Sequence, residues 1–245
     1  MTPRLAWLIC AAAIAVLLGH ATAATIVVDC GPYPDAATAA QSEQSVGWND
    51  ANPADDIACT QCFAALELQH YLRLACKAPD GFPTADDQSA PAGDLILVGG
   101  PESNAVSKAL WPRIPGLATP PQQDEAYLLR SADVDGRRVL ILAGGGRVGT
   151  LYAAYDLLHR LGVRWYAPGE VNQEVPALDL RTLPSLDVLE KPAFATRGFH
   201  AWENRGDPEF LLWMARNRLN YWCVEQEPKG LLHKLGIQMV GGGHI

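Results

Sequence analysis

The sequence predicts an α/β protein: a mixed-sheet α/β domain, followed by the first three βα units of an incomplete (β/α)8 barrel. Short apolar runs such as TIVVD (25–29), DLILVGG (94–100) and RRVLILAG (137–144) are typical of buried strands. Segments with helical apolar periodicity separate several of them. After Pro192, strands and helices alternate at the spacing of parallel βαβ units.

The N-terminus predicts export. Arg4 precedes an apolar stretch of 14 residues, and Ala21-Thr22-Ala23 supplies a small-x-small cleavage pattern. A bilayer-spanning helix needs about 20 apolar residues, so residues 1–23 are read as a cleaved signal peptide rather than an anchor. The mature protein is expected to begin at Ala24, in the periplasm or outside the cell, with no membrane contact after cleavage.

Composition narrows the class of partner. The chain is 49% hydrophobic, 19% of its residues are charged, and its net charge is -8. The apolar content is typical of a folded protein, and the acidic balance argues against a nucleic-acid partner, which would require a basic face.

The first domain is expected over residues 24–190. Residues 31–58 are predicted to form a surface loop, 62–76 a helix, 77–93 a linker and 103–110 a short helix. Asp135-Gly136 predicts a hairpin between the strands on either side of it. A helix over 148–161, a short strand over 163–169 and an extended, Pro-punctuated stretch over 174–192 complete the domain.

A glycine motif joins the strand at 137–144 to the next helix. Gly144-x-Gly146-x-x-Gly149 has the spacing of a dinucleotide-binding turn. The acidic residue expected about 20 positions later is missing, and an exported protein rarely meets NAD. We therefore expect a tight turn with close helix packing, and neither a nucleotide nor any other cofactor.

Four cysteines are disulfide candidates in an oxidising compartment: Cys30, Cys59, Cys62 and Cys76. Two disulfides among them are expected. A redox Cys59-x-x-Cys62 pair is an alternative. No second ligand pair has finger-like spacing, so no metal site is predicted. Cys223 is expected to be a buried free thiol.

The second domain is expected over residues 191–245. Strands are predicted at 193–202, 220–225 and 237–243, with helices at 210–218 and 229–236 between them. Asp207-Pro208-Glu209 carries the signals of a helix start. Because a (β/α)8 barrel closes only with eight strands, the sequence predicts the front of a longer protein.

GRVGTLYAAYDLLHRLGVRWYAPG (146–169), followed by VP and KPAFATRG, resembles the two-domain front of family 20 β-N-acetylhexosaminidases and family 67 α-glucuronidases. The resemblance implies an exported glycoside hydrolase acting on a polysaccharide or glycan, with carbohydrate as its partner. It places the catalytic acids beyond Ile245, so this chain is expected to hold no catalytic residue and to be inactive alone. An exported, non-catalytic carbohydrate-binding or scaffold protein on the same fold is the alternative.

The resemblance also implies substrate-binding residues. Phe194-Ala195-Thr196-Arg197-Gly198 is similar to the segment that opens the family 20 barrel, and this similarity assigns Arg197 to sugar hydroxyls. A structural arginine paired with a carboxylate of the barrel is the other interpretation. Trp202, Glu225 and His244 are the further candidates. Trp202 stands where family 20 has Asp, and Cys223-Val224-Glu225 stands where it has His-Trp-His. Both differences argue against specificity for N-acetylhexosamine. A Glu203–Glu225 catalytic pair is the less favoured assignment from the residues alone.

Overall fold

The computed structural model describes residues 24–88, 90–117, 119–199, 207–222 and 229–239. The expected signal peptide, residues 1–23, lies outside them. The helices are α1 (Ala36–Ala40), α2 (Pro53–Cys76), α3 (Ala105–Leu110), α4 (Arg147–Arg160), α5 (Pro208–Arg216) and α6 (Lys229–Leu235). The strands are β1 (Thr25–Val28), β2 (Thr84–Asp86), β3 (Leu95–Val98), β4 (Tyr127–Val134), β5 (Arg137–Gly144), β6 (Arg164–Trp165), β7 (Gln173–Glu174), β8 (Asp187–Glu190), β9 (Gly198–Phe199), β10 (Tyr221–Trp222) and β11 (Gln238–Met239).

Six strands form a mixed sheet in the order β2-β1-β3-β5-β4-β8. Strands β2, β1, β3 and β5 are parallel to one another, whereas β4 is antiparallel to both β5 and β8. The expected α/β class with a mixed sheet is thus confirmed. Strands β6 and β7 form a separate antiparallel pair beside it.

The central strands are buried on both faces. In β3, Ile96 and Val98 join the large apolar cluster beneath α2 and α4, while Leu95 and Leu97 join a smaller cluster beneath α3. This alternation follows from the two-residue repeat of a strand. A sheet covered on both faces requires nearly continuous apolar runs, which is why these strands could be recognised from the sequence.

The hairpin prediction is confirmed. β4 and β5 pair antiparallel in register from Tyr127↔Gly144 to Val134↔Arg137, with only Asp135 and Gly136 between them. Both turn residues have positive φ, 53° and 76°, as a two-residue type I′ hairpin turn requires.

Helix α2 is longer than the sequence analysis expected. It begins at Pro53, inside the stretch 31–58 that was predicted to be a loop, and that stretch also contains α1. The Asn52 side chain caps the helix by accepting a hydrogen bond from Ala54 N. Asp55 and Asp56 lie in the first turn, where their negative charges interact favourably with the helix dipole. Polar first-turn residues concealed the helix because the expectation relied on apolar periodicity.

The C-terminal elements form a second small sheet. β9, β10 and β11 are parallel, in the order β11-β10-β9, with α5 and α6 in the connections. The predicted βαβ alternation is confirmed for the described residues, and the start of a barrel remains a prediction. We call residues 24–190 the first unit and the described residues after 190 the second unit. The large apolar cluster continues through both, and includes Leu211, Met214 and Trp222.

Candidate functional site: the cleft between the two units

A cleft of about 810 Å³ opens between the first and second units. The first unit contributes the loop 123–126 and the start of α4. The second unit contributes residues of the segment 192–195, together with α6 and β11. Asn220 lines this space, and the glycine turn before α4 lies close to it. The hydrogen bonds of these polar groups determine whether the cleft could bind a ligand.

Arg197, the principal predicted sugar-binding residue, lies beside this cleft with its side chain fully engaged. Its Nη2 donates to Glu125 Oε2 at 2.8 Å and to the Tyr152 hydroxyl at 3.5 Å. Its Nε donates to the carbonyl of Arg218 at 2.9 Å, and Nη1 to the carbonyls of Phe194 and Ala195 at 2.7 and 3.5 Å. An arginine side chain has five N–H donors, and each has an acceptor here.

Asn220 completes this group. Its Nδ2 donates to Glu125 Oε1 at 2.7 Å, and its Oδ1 accepts from the Arg197 backbone at 2.8 Å. Burial, together with the nearby Glu125 carboxylate, raises the pKa of the Tyr152 hydroxyl, which therefore stays protonated. The geometry favours the structural interpretation of Arg197, although its carboxylate partner belongs to the loop before β4 and not to a barrel strand.

Four ion pairs among the described residues join the two units, and in each the cation belongs to the second unit. The pairs are Arg197–Glu125 at 2.8 Å, Arg216–Glu67 at 2.9 Å, Arg218–Asp156 at 2.9 Å and Lys234–Glu43 at 2.9 Å. The acidic partners come from α2, α4 and two loops of the first unit. In these four pairs, the first unit supplies the acidic group and the second unit supplies the basic one.

The Arg216–Glu67 pair is enclosed by aromatic rings. Two donors of Arg216 reach the two oxygens of Glu67, at 2.9 and 3.1 Å. The guanidinium lies over the rings of Tyr71 and Trp165, at 5.4 and 5.7 Å from their centroids, and the Tyr155 hydroxyl also donates to Glu67. Burial opposes the charge of Arg216, but Glu67 outweighs it and leaves the pKa of Arg216 raised.

Asp156 of α4 binds two arginines, one from each unit. Arg218 donates to Oδ1 at 2.9 Å, and Arg160 donates to Oδ2 at 2.8 Å. His159 lies beside them, with Nδ1 3.4 Å from Arg218 Nη2 and a buried Nε2 that has no partner. Burial, and secondarily the charge of Arg218, lowers the pKa of His159 to about 4.

At the other end of the interface, α6 is attached to α1, α2 and the start of α4. Lys234 donates to the Ala40 carbonyl at 3.0 Å as well as to Glu43. Arg147 donates to the His233 carbonyl at 2.6 Å and to the Thr60 hydroxyl at 2.9 Å. These donors bind carbonyls and hydroxyls of the protein itself.

The glycine turn is closed by the protein's own backbone. A Cβ on Gly149 would lie 2.5 Å from the carbonyl oxygens of both Asp124 and Ala126, and a Cβ on Gly144 would collide with the backbone nitrogen of Thr150. The amides of Gly145, Gly146 and Gly149 donate to these two carbonyls. The glycines are therefore explained by close packing, as expected, and the absence of a nucleotide partner stays a prediction.

Three cysteines occupy one helix, which limits their pairing. Cys59, Cys62 and Cys76 all belong to α2, and Cys30 follows β1; the four thiols are free in the structure. Two disulfides among these four would require a bond between two residues of α2. Such a bond is incompatible with an intact helix, since Cβ atoms three residues apart are about 5–6 Å from each other and a disulfide needs about 3.5–4.5 Å.

The redox alternative is not favoured by the surroundings of Cys59 and Cys62. Both thiols are buried two turns inside α2, not at its start. Burial raises the pKa of Cys59, while a hydrogen bond with Cys30 and burial raise that of Cys62. A reactive thiol requires a lowered pKa and access to its substrate.

The sequence analysis missed a group of three carboxylates at the ends of β1 and β2. Oxygens of Asp29, Asp86 and Asp87 lie within 4.8 Å of one another. Each already accepts a backbone N–H: Gly31 on Asp29, Cys30 on Asp86 and Ala105 on Asp87. The group could be found only by recognising that β2 pairs with β1 in parallel, because this brings the two strand ends together.

The other predicted binding residues, Trp202, Glu225 and His244, lie outside the described residues, as do Glu203 and Cys223. Their assignment to a substrate remains untested.

Comparison with known proteins gives one family. Residues 77–161, about a third of the chain, match the S-layer like family, outer domain. No curated protein matches the chain. Among the described residues, no helix has both the length and the apolar character needed to cross a bilayer.

The match corrects the glycoside hydrolase assignment. No glycoside hydrolase family gives a signal, so the resemblance to family 20 and family 67, and the hydrolase function derived from it, are wrong. The packing of the glycine turn gives the physical reason: any protein that packs a helix this closely after a strand needs glycines there, whatever its function. What the chain shares with known proteins is a segment, from β2 to α4, similar to the outer domain of the S-layer like family.

Proposed function

We propose that this chain is an exported structural protein of the cell surface, whose first unit acts as an S-layer like outer domain. The match over residues 77–161 carries the proposal. It spans β2 to the end of α4 and therefore most of the central sheet and the hairpin. The same match supports a cell-surface or exported location.

The bonding of the cleft supports a structural role. The guanidinium of Arg197 donates all its N–H groups to the protein, and the carboxylates of Glu125 and Glu67 are each held by side chains of the second unit. Groups that bind each other across an interface fix the relative orientation of its two sides. A structural protein is in the same broad class as the scaffold alternative that the sequence left open.

Surface labelling of intact cells tests the location. Lys77, Lys108 and Lys191 are exposed, whereas Lys234 is buried in its pair with Glu43. A membrane-impermeant, amine-reactive reagent should label the three exposed lysines on intact cells and leave Lys234 unlabelled, and Lys234 thus serves as an internal control for folding. Labelling that requires lysis would contradict the proposal. Recovery of protein with Met1 intact would contradict the expected cleavage before Ala24.

A further inference from the structure

Cys30 and Cys62 lie together at the end of β1, in the largest apolar cluster. Cys30 is 3% exposed, Cys62 is fully buried, and both belong to the same apolar cluster. The Cys30 side chain is near enough to Cys62 to raise the pKa of its thiol, and burial raises it further. Their sulfurs also approach neighbouring carbonyls: Cys30 Sγ is 3.9 Å from Val28 O, and Cys62 Sγ is 3.3 Å from Asp29 O. The two sulfurs thus approach consecutive backbone carbonyls at the end of β1.

We propose that Cys30 and Cys62 form the structural disulfide of the exported protein, and that Cys59 and Cys76 remain thiols. The proposal rests on the exported location in the proposed function. It replaces the expectation of two disulfides with one bond between named partners.

Helix geometry excludes the competing pairs. At a rise of 1.5 Å per residue, Cys76 lies about 21 Å along α2 from Cys62 and about 25 Å from Cys59. A disulfide spans about 4.4–6.8 Å between Cα atoms. Cys59 also has a different neighbour: burial raises the pKa of its thiol, and the side chain of Ser42 partly offsets that rise. Among the described cysteines, this leaves Cys62 as the partner of Cys30.

The bond forms by exchange with an oxidised partner disulfide, which is the oxidant. The thiolate of one cysteine attacks a sulfur of the partner and releases one partner thiolate; the second cysteine thiolate then displaces the other. Two cysteine protons are transferred to the two released thiolates, so two thiols are oxidised and one disulfide is reduced. In the folded protein both cysteines are buried, so the exchange takes place before α2 packs on β1.

The disulfide joins the end of a central strand to the middle of the longest helix. The chain between the two cysteines contains α1, the polar stretch around residues 41–52 and the start of α2. Closing a loop of this length restricts the unfolded chain, and reduction should lower the Tm by about 10 °C.

Two cysteine variants distinguish the partner. The full chain carrying Cys10→Ser and Cys223→Ser is recovered from the exported fraction and alkylated under denaturing, non-reducing conditions. Mass spectrometry should find the Cys30 peptide joined to the α2 peptide. Because Cys59 and Cys62 share that peptide, the linkage should survive Cys59→Ser and disappear in Cys62→Ser. The Tm shift on reduction should likewise remain in Cys59→Ser and disappear in Cys62→Ser.

Two results would overturn the pairing. One is a linkage that survives in Cys62→Ser and is lost in Cys59→Ser. The other is alkylation of both Cys30 and Cys62 in the exported protein.

A second measurement separates this proposal from the proposed function. If labelling and fractionation place the protein inside the cell, the proposed location has failed, and the pairing is then tested by refolding the full chain in a buffer of reduced and oxidised glutathione. Formation of the Cys30–Cys62 linkage there would support the geometric inference. Refolded protein with both thiols free would overturn it.

Discussion

The ion pairs on the surface of the first unit differ from those that join the two units. Arg181 and Asp179 form a two-point contact, yet their side chains are 80% and 62% exposed. Arg216 and Glu67 make similar contacts with 19% and 12% exposure. Exposed pairs contribute about 0–1 kcal/mol, whereas breaking a buried pair costs about 3–5 kcal/mol. An arginine–carboxylate pair therefore contributes little on the exposed surface of the first unit and stabilises the packing between the two units.

Breaking the buried pair should have the largest effect. Arg216→Met should lower the free energy of unfolding by about 3–5 kcal/mol, because it leaves the Glu67 carboxylate buried without its cation. Chemical denaturation of the full chain measures the change, with Arg181→Met as the matched control, which should have a far smaller effect because its pair is exposed to solvent. Glu67→Gln combined with Arg216→Met should recover part of the loss. Equal effects of Arg216→Met and Arg181→Met would remove the distinction between the two kinds of pair.

Gly149 tests whether packing or helix propensity governs the start of α4. Gly149→Ala should destabilise the protein by about 2–3 kcal/mol, since the new Cβ would meet two backbone carbonyls. Helix propensity alone predicts the opposite, an increase of about 1 kcal/mol in the free energy of unfolding. Gly136→Ala is the control: its Cβ meets nothing within 4 Å, so only the positive φ opposes it, at about 1 kcal/mol. A stabilised Gly149→Ala protein would show that the turn is not tightly packed.

His159 should make the interface sensitive to acid. Its pKa is lowered to about 4 in the folded protein from 6.5, so the unfolded chain binds the proton first as the pH falls. Stability should therefore be lost between about pH 6.5 and pH 4, by about 1–2 kcal/mol after allowance for partial exposure. Across this pH range, the Tm should depend less steeply on pH in His159→Gln than in His70→Gln, the control at an exposed histidine. Identical profiles for the two variants would exclude His159 as the source.

The helix start that the sequence analysis missed should give the smallest of these changes. Asn52→Ala removes the side-chain acceptor for Ala54 N and should destabilise the protein by about 1 kcal/mol. Asn52→Asp, which keeps an acceptor, should be nearly neutral. A loss of helix content limited to the first turn of α2 would be visible by amide hydrogen exchange. No difference between the two variants would show that Pro53 and the acidic first turn fix the start without the cap.

Local signals in the sequence predicted much of the first unit. Asp135-Gly136 carries its own turn geometry, and the runs that became β3 and β5 are apolar because both of their faces are covered. β2 could not be found in the same way: it is three residues long and polar at both ends, Thr84 and Asp86, and only pairing with the distant β1 makes it a strand. The ion pairs between the units have the same character, since nothing near Arg216 in the sequence indicates Glu67.

The function was the weakest inference from the sequence. The glycoside hydrolase assignment rested on residues 146–169 and on the later segments VP and KPAFATRG. The glycines of the first segment satisfy a packing requirement that many unrelated proteins share. Arg197 was assigned to a ligand because Phe194–Gly198 is similar to the segment that opens the family 20 barrel. The acceptors that occupy its donors come from four separate parts of the chain, and no spacing rule connects those parts.

The charge asymmetry of the interface has a consequence for the order of assembly. In synthesis the first unit leaves the ribosome before the second, and it presents Glu43, Glu67, Glu125 and Asp156 on the face where the second unit will dock. The arriving segment carries the four matching cations, so the two faces attract each other before any apolar surface meets. Attraction of this kind accelerates encounter and weakens as salt screens it. The docking step of refolding should therefore slow as ionic strength rises, while the hairpin of β4 and β5, which depends on neighbouring residues, forms at an unchanged rate.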